Sequence, residues 1–395
     1  MERRALNEAF LFRSRRDDAP DRNAKAQPNW VPFMRSTFLA ALSVAVMASP
    51  LRVEAAWVTQ TLVGDGNPGF VANFGPAREA QIDNPFGVLR GPDGALWFTE
   101  YGGQRVRRLL KDGSLATVVG DGKRGLLGNG GAALSASLNM PHEIRFDPFG
   151  DLYIADMGNH VVRKVEMKTG KISTLAGTGL PKFGGDGGQA ALAYLKQPHS
   201  IQFGRDACMY VCDTGNNLIR RVHMGSGIIT SFAGTGALGV TPDGAPIRGT
   251  PLSGPRALDV DQDGNLWLVT REGNQVLKLD MLNERIYVIA GTGQKGYSGD
   301  GGPAREATFR GPKGISLDKQ GNVWIADTEN NAVRRINMAT GTIETIAGTG
   351  ERGDGPDGDA LKCKLSRVHG IYADADGAVY IGDSENHRIR VLKNK

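Results

Sequence analysis

Residues 315–350 read ISLDKQGNVWIADTENNAVRRINMATGTIETIAGTG, and residues 144–179 read IRFDPFGDLYIADMGNHVVRKVEMKTGKISTLAGTG. The two stretches match through most of their length. Further copies begin at Val88, Ile201, Leu258 and Ile371. A proline precedes five of the six, at Pro85, Pro141, Pro198, Pro255 and Pro312, with Val368 in the sixth place. The intervals are 56, 57, 57, 57 and 56 residues. Self-similarity at a fixed period of this size marks an architecture of stacked repeats, each unable to bury its apolar faces alone.

The pattern inside one copy predicts four short strands, here Gly314–Asp318, Asn322–Ala326, Ala332–Asn337 and Thr342–Ala347. Lys-Gln-Gly, Asp-Thr-Glu-Asn-Asn and Ala-Thr-Gly separate them, all turn-forming clusters. Four antiparallel strands per unit make a propeller blade. The sixth copy stops after its third strand, at Arg388–Leu392, whereas VTQTLVGDG from Val58 matches the fourth-strand segment IETIAGTG. The expected fold is therefore all-β: a six-bladed propeller over residues 56–395, closed by an N-terminal strand that completes the last blade.

Glycine supplies 55 of the 395 residues, which suits so many tight turns. The formal charge is +5. Residues 1–55 hold nine Lys/Arg against six Asp/Glu, leaving 38 against 36 for the rest. A folded part so near neutrality argues against a nucleic-acid partner, which needs clustered cations. Cys208, Cys212 and Cys363 form no disulfide framework. The first two share a strand face too extended to bridge, and all three read as apolar filler.

Residues 34–55, MRSTFLAALSVAVMASPLRVEA, carry Arg35, then an apolar run from Phe38 to Ala48, then a small-x-small site at Val53–Ala55. This is the pattern of a secretory signal peptide, too short for a membrane span. It predicts a secreted or periplasmic protein, without a transmembrane segment and monomeric. Residues 1–33 are charged and unpatterned, and read as an extension outside the fold ahead of a start at Met34.

The segments IADTENNAVRRI, IADMGNHVVRKV, VCDTGNNLIRRV and IGDSENHRIRVL resemble the NHL repeat. The segment GTGQKGYSGDGGPAREATFRGPKGI is similar to the long-loop, teneurin-like members of that family, and GPDGALWFTEYGGQRV to virginiamycin B lyase. The resemblance implies the propeller. It leaves function open among binding platforms, RNA-binding domains and a few lyases.

Four copies end the second strand in aspartate (Asp156, Asp213, Asp327, Asp383) and the first copy in Glu100. Seven residues later stands an arginine: Arg163, Arg220, Arg334, Arg390 and Arg107. The fourth copy has Thr270 and Leu277, losing both together, which predicts a structural ion pair rather than metal ligation. The Gly-Asp-Gly motifs around Asp186, Asp300 and Asp357 lack EF-hand spacing and predict a turn followed by a short helix.

In a four-stranded blade the first strand lies nearest the axis. The residue after each blade proline then faces the top of the central channel, and these are Phe86, His142, His199, Arg256, Lys313 and His369. The placement resembles the zinc site of peptidyl-α-hydroxyglycine α-amidating lyase. That resemblance implies His142, His199 and His369 as ligands of one divalent metal (zinc, or magnesium or calcium), with Tyr101 and Arg271 handling substrate. The departure is that these histidines come from blades 2, 3 and 6 rather than alternate blades. Resemblance to virginiamycin B lyase implies Glu143 as a base. Read from charge, Arg256 and Lys313, with the histidines partly protonated, make an anion-friendly mouth, which Phe86 also lines, for a small anionic ligand or a protein. A third reading is that the ring fills a polar channel. Binding leads, and a metal-dependent lyase or lactonase-like enzyme is the alternative.

Overall fold

The computed structural model describes residues 56–70 and 75–395. The extension at 1–33 and the signal peptide at 34–55 lie outside the described residues. No described helix is long and apolar enough to cross a membrane.

Six sheets of four antiparallel strands form the blades, two of them with a short fifth strand added. Blade 5 comprises Gly314–Leu317, Val323–Asp327, Ala332–Asn337 and Thr342–Ala347. The first two strands differ from expectation at their ends. Asp318 is the turn's acceptor, taking the backbone N–H of Gln320 and of Asn322 and the Asn322 side-chain amide. Asp318 and Asn322 therefore leave the ladder, and the second strand runs on to Asp327. Blade 6 comprises Ile371–Ala373, Val379–Asp383, Arg388–Asn394 and, as its fourth strand, Trp57–Val63. The pairing Trp57 to Asn394 through Val63 to Ile389 closes the ring with the start of the folded chain.

The second strand of each sheet is buried along its whole length, on both faces. In blade 3, Met209 and Val211 pack against blade 2, while Cys208, Tyr210 and Cys212 pack against blade 4. The apolar core is accordingly divided into six clusters, one per blade interface. The three cysteines are free and buried within two of them.

In blades 2, 3, 5 and 6 a buried ionic clamp ties the blade to the loop before it. The Asp156 carboxylate accepts the backbone N–H of Asn139 and the Asn159 amide, both at 2.8 Å, and lies 3.7 Å from Arg163. The same arrangement recurs at Asp213 with Lys196, Asn216 and Arg220, and at Asp327 with Arg310, Asn330 and Arg334. It recurs again at Asp383 with Ser366, Asn386 and Arg390. Blade 1 keeps the ion pair alone, as Arg107–Glu100 at 3.1 Å. From its other side the arginine meets the Gly-Asp-Gly loop: Arg220 bonds Asp186, Arg334 bonds Asp300, and Arg390 bonds Asp354 and Asp357. Blade 2 uses Asn129 in that place. The loop also lays a ring over the arginine, Phe183 on Arg220 and Tyr297 on Arg334, with Phe70 on Arg107. The half-exposed aromatics of these loops are thus lids on buried cations. The short helix expected after each motif is a single 3₁₀ turn, as at Ala304–Glu306.

Removing one member of a buried pair leaves an uncompensated charge, whereas removing both can be nearly neutral. Asp156→Thr is expected to destabilise by about 3–5 kcal/mol. Adding Arg163→Leu, which reproduces the Thr/Leu combination of blade 4, should recover most of that loss in chemical denaturation. A double variant less stable than the single one would show that the two groups do not compensate each other.

Candidate functional site

The first strands of neighbouring blades contact each other around the whole ring and so line the axis. In blades 2, 3 and 4 the register of the first strand slips by one residue just after the blade proline, between Pro141 and Glu143, Pro198 and Ser200, and Pro255 and Ala257. A slip between Pro85 and Val88 does the same in blade 1. A bulge leaves one residue unpaired and re-aims its side chain. The residues so released are Phe86, His142, His199 and Arg256. In blades 5 and 6, Lys313 and His369 stand just ahead of the first strand, each tied by its own N–H to the second strand, Lys313 to Ala326 and His369 to Gly382.

These side chains meet on the axis, each at most 7% exposed. The His142 and His199 rings lie 4.7 Å apart, and Phe86 lies 3.9 Å from His369 in a parallel stack. Tyr101 continues that stack on the other face of Phe86 at 4.3 Å. One side of the ring is thus an aromatic column. The other is charged: Arg256 donates to His142 Nε2 at 2.8 Å, and Lys313 Nζ lies 2.6 Å from Glu329 and 3.4 Å from His369 Nε2. Arg271 is half-exposed and pairs with Glu272.

Three carboxylates beside the ring escaped the sequence reading. Glu272, Glu329 and Glu385 occupy one position of the loop between second and third strands, where blades 1–3 carry Gly102, Gly158 and Gly215. The signal was a repeat position that switches from glycine to glutamate halfway round the ring. Glu329 accepts from Lys313 and Arg367, Glu385 from Arg367, and Glu272 from Arg271. Burial pushes Glu329 upward, but the hydrogen bonds from Lys313 and Arg367 bring it down to about 2.

Glu143 sits one residue below His142, buried and ion-paired with Arg145. Burial pushes its carboxyl up to about 7 against the pull of Arg145. With His142, Lys313 and His369 it lines an axial void of about 20 Å³, room for a single water.

The tautomers follow from the hydrogen bonds. His142 Nε2 accepts from Arg256, so its Nδ1 carries the proton. His369 Nδ1 meets the Arg367 carbonyl at 2.7 Å, which leaves its Nε2 facing Lys313. His199 Nδ1 donates to the Gln197 carbonyl. Of the three imidazoles, His199 alone keeps an unengaged Nε2. No group of three or more His, Cys, Asp or Glu side chains among the described residues is arranged to hold a metal ion. As arranged, the histidines do not fit a dication, which would have to displace Arg256 and Lys313.

Six arginines are buried among the described residues: Arg107, Arg163, Arg220, Arg256, Arg334 and Arg390. Five lie within 4 Å of a carboxylate. Arg256 has none within that distance; its buried Nε has no acceptor, as is also true of Arg107, Arg163, Arg220 and Arg334, so it is the missing carboxylate that sets it apart. Burial, with Arg271 nearby, pushes its pKa down to about 9, so it stays cationic at neutral pH.

Burial holds His142, His199 and His369 well below their ordinary range, with Arg256 and Lys313 adding repulsion; Arg271 faces His199 and Arg367 faces His369. On acidification the unfolded chain takes up these protons first, so this stability is complete above about pH 6.5 and is lost as pH falls. Glu143, raised to about 7, contributes with the opposite sign. The histidine part is isolated by comparing wild type with His199→Gln. Below pH 6 the variant's denaturation free energy should fall less steeply, by up to about 1.4 kcal/mol per pH unit. Parallel slopes would mean that His199 is protonated in the folded protein.

Comparison with known proteins places this geometry. The Teneurin NHL domain matches residues 257–353 and the NHL repeat matches residues 365–392. NHL repeat-containing protein 2 of Gallus gallus is 30% identical over 290 residues, covering 65% of this chain and 39% of that protein. Teneurin-1 of Mus musculus is 27% identical over 376 residues, covering 85% of this chain. This chain spans only 13% of that teneurin's length. A structural genomics protein of unknown function from Bacteroides thetaiotaomicron superposes with a TM-score of 0.64 at 17% identity, covering 86% of this chain and 76% of that one. Virginiamycin B lyase from Staphylococcus aureus superposes with a TM-score of 0.51 at 18% identity, covering 86% of this chain and all of that one. At such identities these two structures share the fold alone. The six repeats, the clamp within each blade but the fourth, and the matches over residues 257–353 and 365–392 show a six-bladed β-propeller that carries NHL repeats.

Proposed function

We propose that this chain is an extracytoplasmic binding propeller whose top face, around the axis, holds an anionic ligand or an anionic group of a protein partner. The observation that carries this reading is Arg256. A buried cation without a counter-ion costs several kcal/mol, and folded proteins retain such groups mainly where function needs them. Nearby, Lys313 has its glutamate, so Arg256 is the ring cation left for an incoming anion. The 34–55 leader supports export.

The test is denaturation of wild type and Arg256→Met in the presence of small anions. Wild type should be stabilised by at least one anion, by about 2.7 kcal/mol at a hundredfold excess over its Kd. Arg256→Met should lose that response. Without ligand it should match wild type or exceed it by about 1–2 kcal/mol, because an unpaired buried charge has been replaced by apolar volume. An Arg256→Met variant that is much less stable, with no anion response in wild type, would make Arg256 structural.

Metal content of the purified protein decides the alternative. A stoichiometric divalent ion, lost in a His142/His199/His369→Ala variant that still folds, would replace this reading with a metal-dependent lyase.

A further inference from the structure

The channel has a second end. Arg145 stands two residues beyond Glu143, and strand alternation puts both on one face. The equivalent positions of the six blades are Leu89, Arg145, Gln202, Asp259, Ser316 and Tyr372. Each first strand runs from the upper ring to the turn that leads into the second strand, so these six lie at the opposite end of the axis. All six line one cavity of about 610 Å³, walled by the first-to-second-strand turns of blades 4, 5 and 6. This end is open where the other is closed. The Arg145 side chain keeps 20% of its surface exposed, and Asp259 and Tyr372 are only half-buried.

Part of this lower ring is structural. Gln202 donates to Asp259 at 2.9 Å, the Leu317 N–H donates to Asp259 at 2.7 Å, and the Ala373 N–H donates to Ser316 at 3.0 Å. These bonds staple blade 3 to blade 4, blade 4 to blade 5 and blade 5 to blade 6. The ring side chains of blades 6, 1 and 2 make no such staple to the next blade. There Leu89 is apolar, and Arg145 holds Glu143 while reaching across the axis to the Leu258 carbonyl at 3.3 Å. The Tyr372 hydroxyl has no hydrogen-bond partner among the described residues. Burial pushes its pKa upward, with Asp374 adding to the shift, so it stays a neutral donor.

We infer that this lower cavity binds a neutral polyhydroxylated molecule of sugar size, at a site apart from the anion site proposed above. Five of the six ring residues are polar, so an apolar occupant would leave their hydrogen-bonding groups unmet. An anion would face Asp259, Asp261, Asp318 and Asp374, which all line the cavity. Arg145 already holds Glu143, so it offers N–H groups rather than an unmet charge. The carboxylates are capped by the fold as well: Asp261 by Trp267 and Lys278, Asp318 by Trp324 and Asn322, Asp374 by Arg90. The remaining charged lining residues, Asp263 and Lys319, are exposed and of opposite sign. No group of three or more His, Cys, Asp or Glu among the described residues is arranged to hold a metal ion. Hydroxyl groups fit what is left, since each both gives and accepts hydrogen bonds and brings no charge to be desolvated. They can take bonds from Tyr372 and Arg145 and donate to the carboxylate lone pair that Asp259 keeps beyond its bonds from Gln202, Val260 and Leu317.

The experiment is an NMR titration of the purified protein with glucose, its anionic counterpart glucuronate and its cationic counterpart glucosamine, and with maltose and myo-inositol as further neutral polyols. At least one neutral polyol should bind, more tightly than either charged sugar, and should shift the Gln202 side-chain amide and the Trp267 indole N–H. Tyr372→Phe removes a hydroxyl that bonds nothing in the protein. It should therefore unfold with wild type in denaturant, yet weaken the bound polyol by about two- to tenfold, the worth of one hydrogen bond. Glucuronate or glucosamine binding more tightly than every neutral probe would overturn the neutral class. Shifts confined to other residues, or binding indifferent to Tyr372→Phe, would remove the polyol from this cavity. No binding of any probe at millimolar concentration would overturn the inference. The anion response of Arg256 is read in a separate measurement at the other end of the axis, so either reading can fail alone.

Discussion

The structure depends on a carboxylate and a guanidinium buried side by side between the second and third strands of a blade. Neither group tolerates burial alone. The carboxylate is satisfied by a backbone N–H of the preceding inter-blade loop, an asparagine amide and the arginine. The arginine's charge is met by that carboxylate and, from the loop, by carbonyls and an aspartate or asparagine, while its Nε finds no acceptor in blades 1, 2, 3 and 5. A twenty-residue connection is an entropic liability in a compact fold. Here each such loop is pinned at several points to the blade it precedes, as Arg334 is to Thr308, Ser298 and Asp300. The clamp therefore works between blades as well as within them. The variation among blades keeps to the same physics: Phe183 and Tyr297 cover an arginine with a ring where Asp354 covers Arg390 with a charge.

Fixed clamps and fixed loops place the start of each first strand at the same height on the axis. A bulge in blades 1–4, and the residue just ahead of the first strand in blades 5 and 6, then bring one side chain per blade to the axis, and the ring's chemistry is set by what occupies six equivalent positions. Those positions are not treated equally. Phe86, His142 and His199 come from blades whose neighbouring loop position is glycine. Arg256, Lys313 and His369 come from blades where it is glutamate. The result is a mouth with an aromatic side and a charged side, which a six-fold repeat alone would not produce.

Most of this fold was legible because its period is long, regular and written in turn residues. The number of blades, the closing strand, the clamp pairs and their joint absence from blade 4 all follow from copies that can be laid over one another. The strand ends at Asp318 and Asn322 drew in by one residue because a side-chain hydrogen bond, Asn322 to Asp318, competes with the ladder there, and the second strand runs on to Asp327 because that residue pairs with Ala332. The ring was legible for a similar reason, since the residue after a repeated proline must recur in space. What could not be read was the state of its groups. Whether a histidine nitrogen offers a lone pair depends on Arg256 standing 114 residues away in sequence from His142. Likewise, Glu329 and Glu385 become part of the site only when Arg367, from a third loop, bridges them. The aromatic lids were invisible for the opposite reason. Phe70, Phe183 and Tyr297 look like exposed docking residues until the arginine beneath them is placed.

Arg256 stands out because the rest of the molecule settles its charges so completely. Blade 4 has given up the clamp pair, with Thr270 and Leu277 fully buried in its place, yet it holds the one buried arginine that no carboxylate reaches. A carboxylate is near enough to serve it: Glu272 is on the same blade and attracts it, but is bonded to Arg271. Had stability been the only constraint, a turn of Glu272 toward Arg256 would reproduce the Lys313–Glu329 pair of the next blade. Holding Glu272 on an exposed partner keeps a buried guanidinium open at the mouth of the axis. Among the described residues the other five buried arginines each lie within 4 Å of a carboxylate, and that exception is what supports the anion-binding reading proposed above.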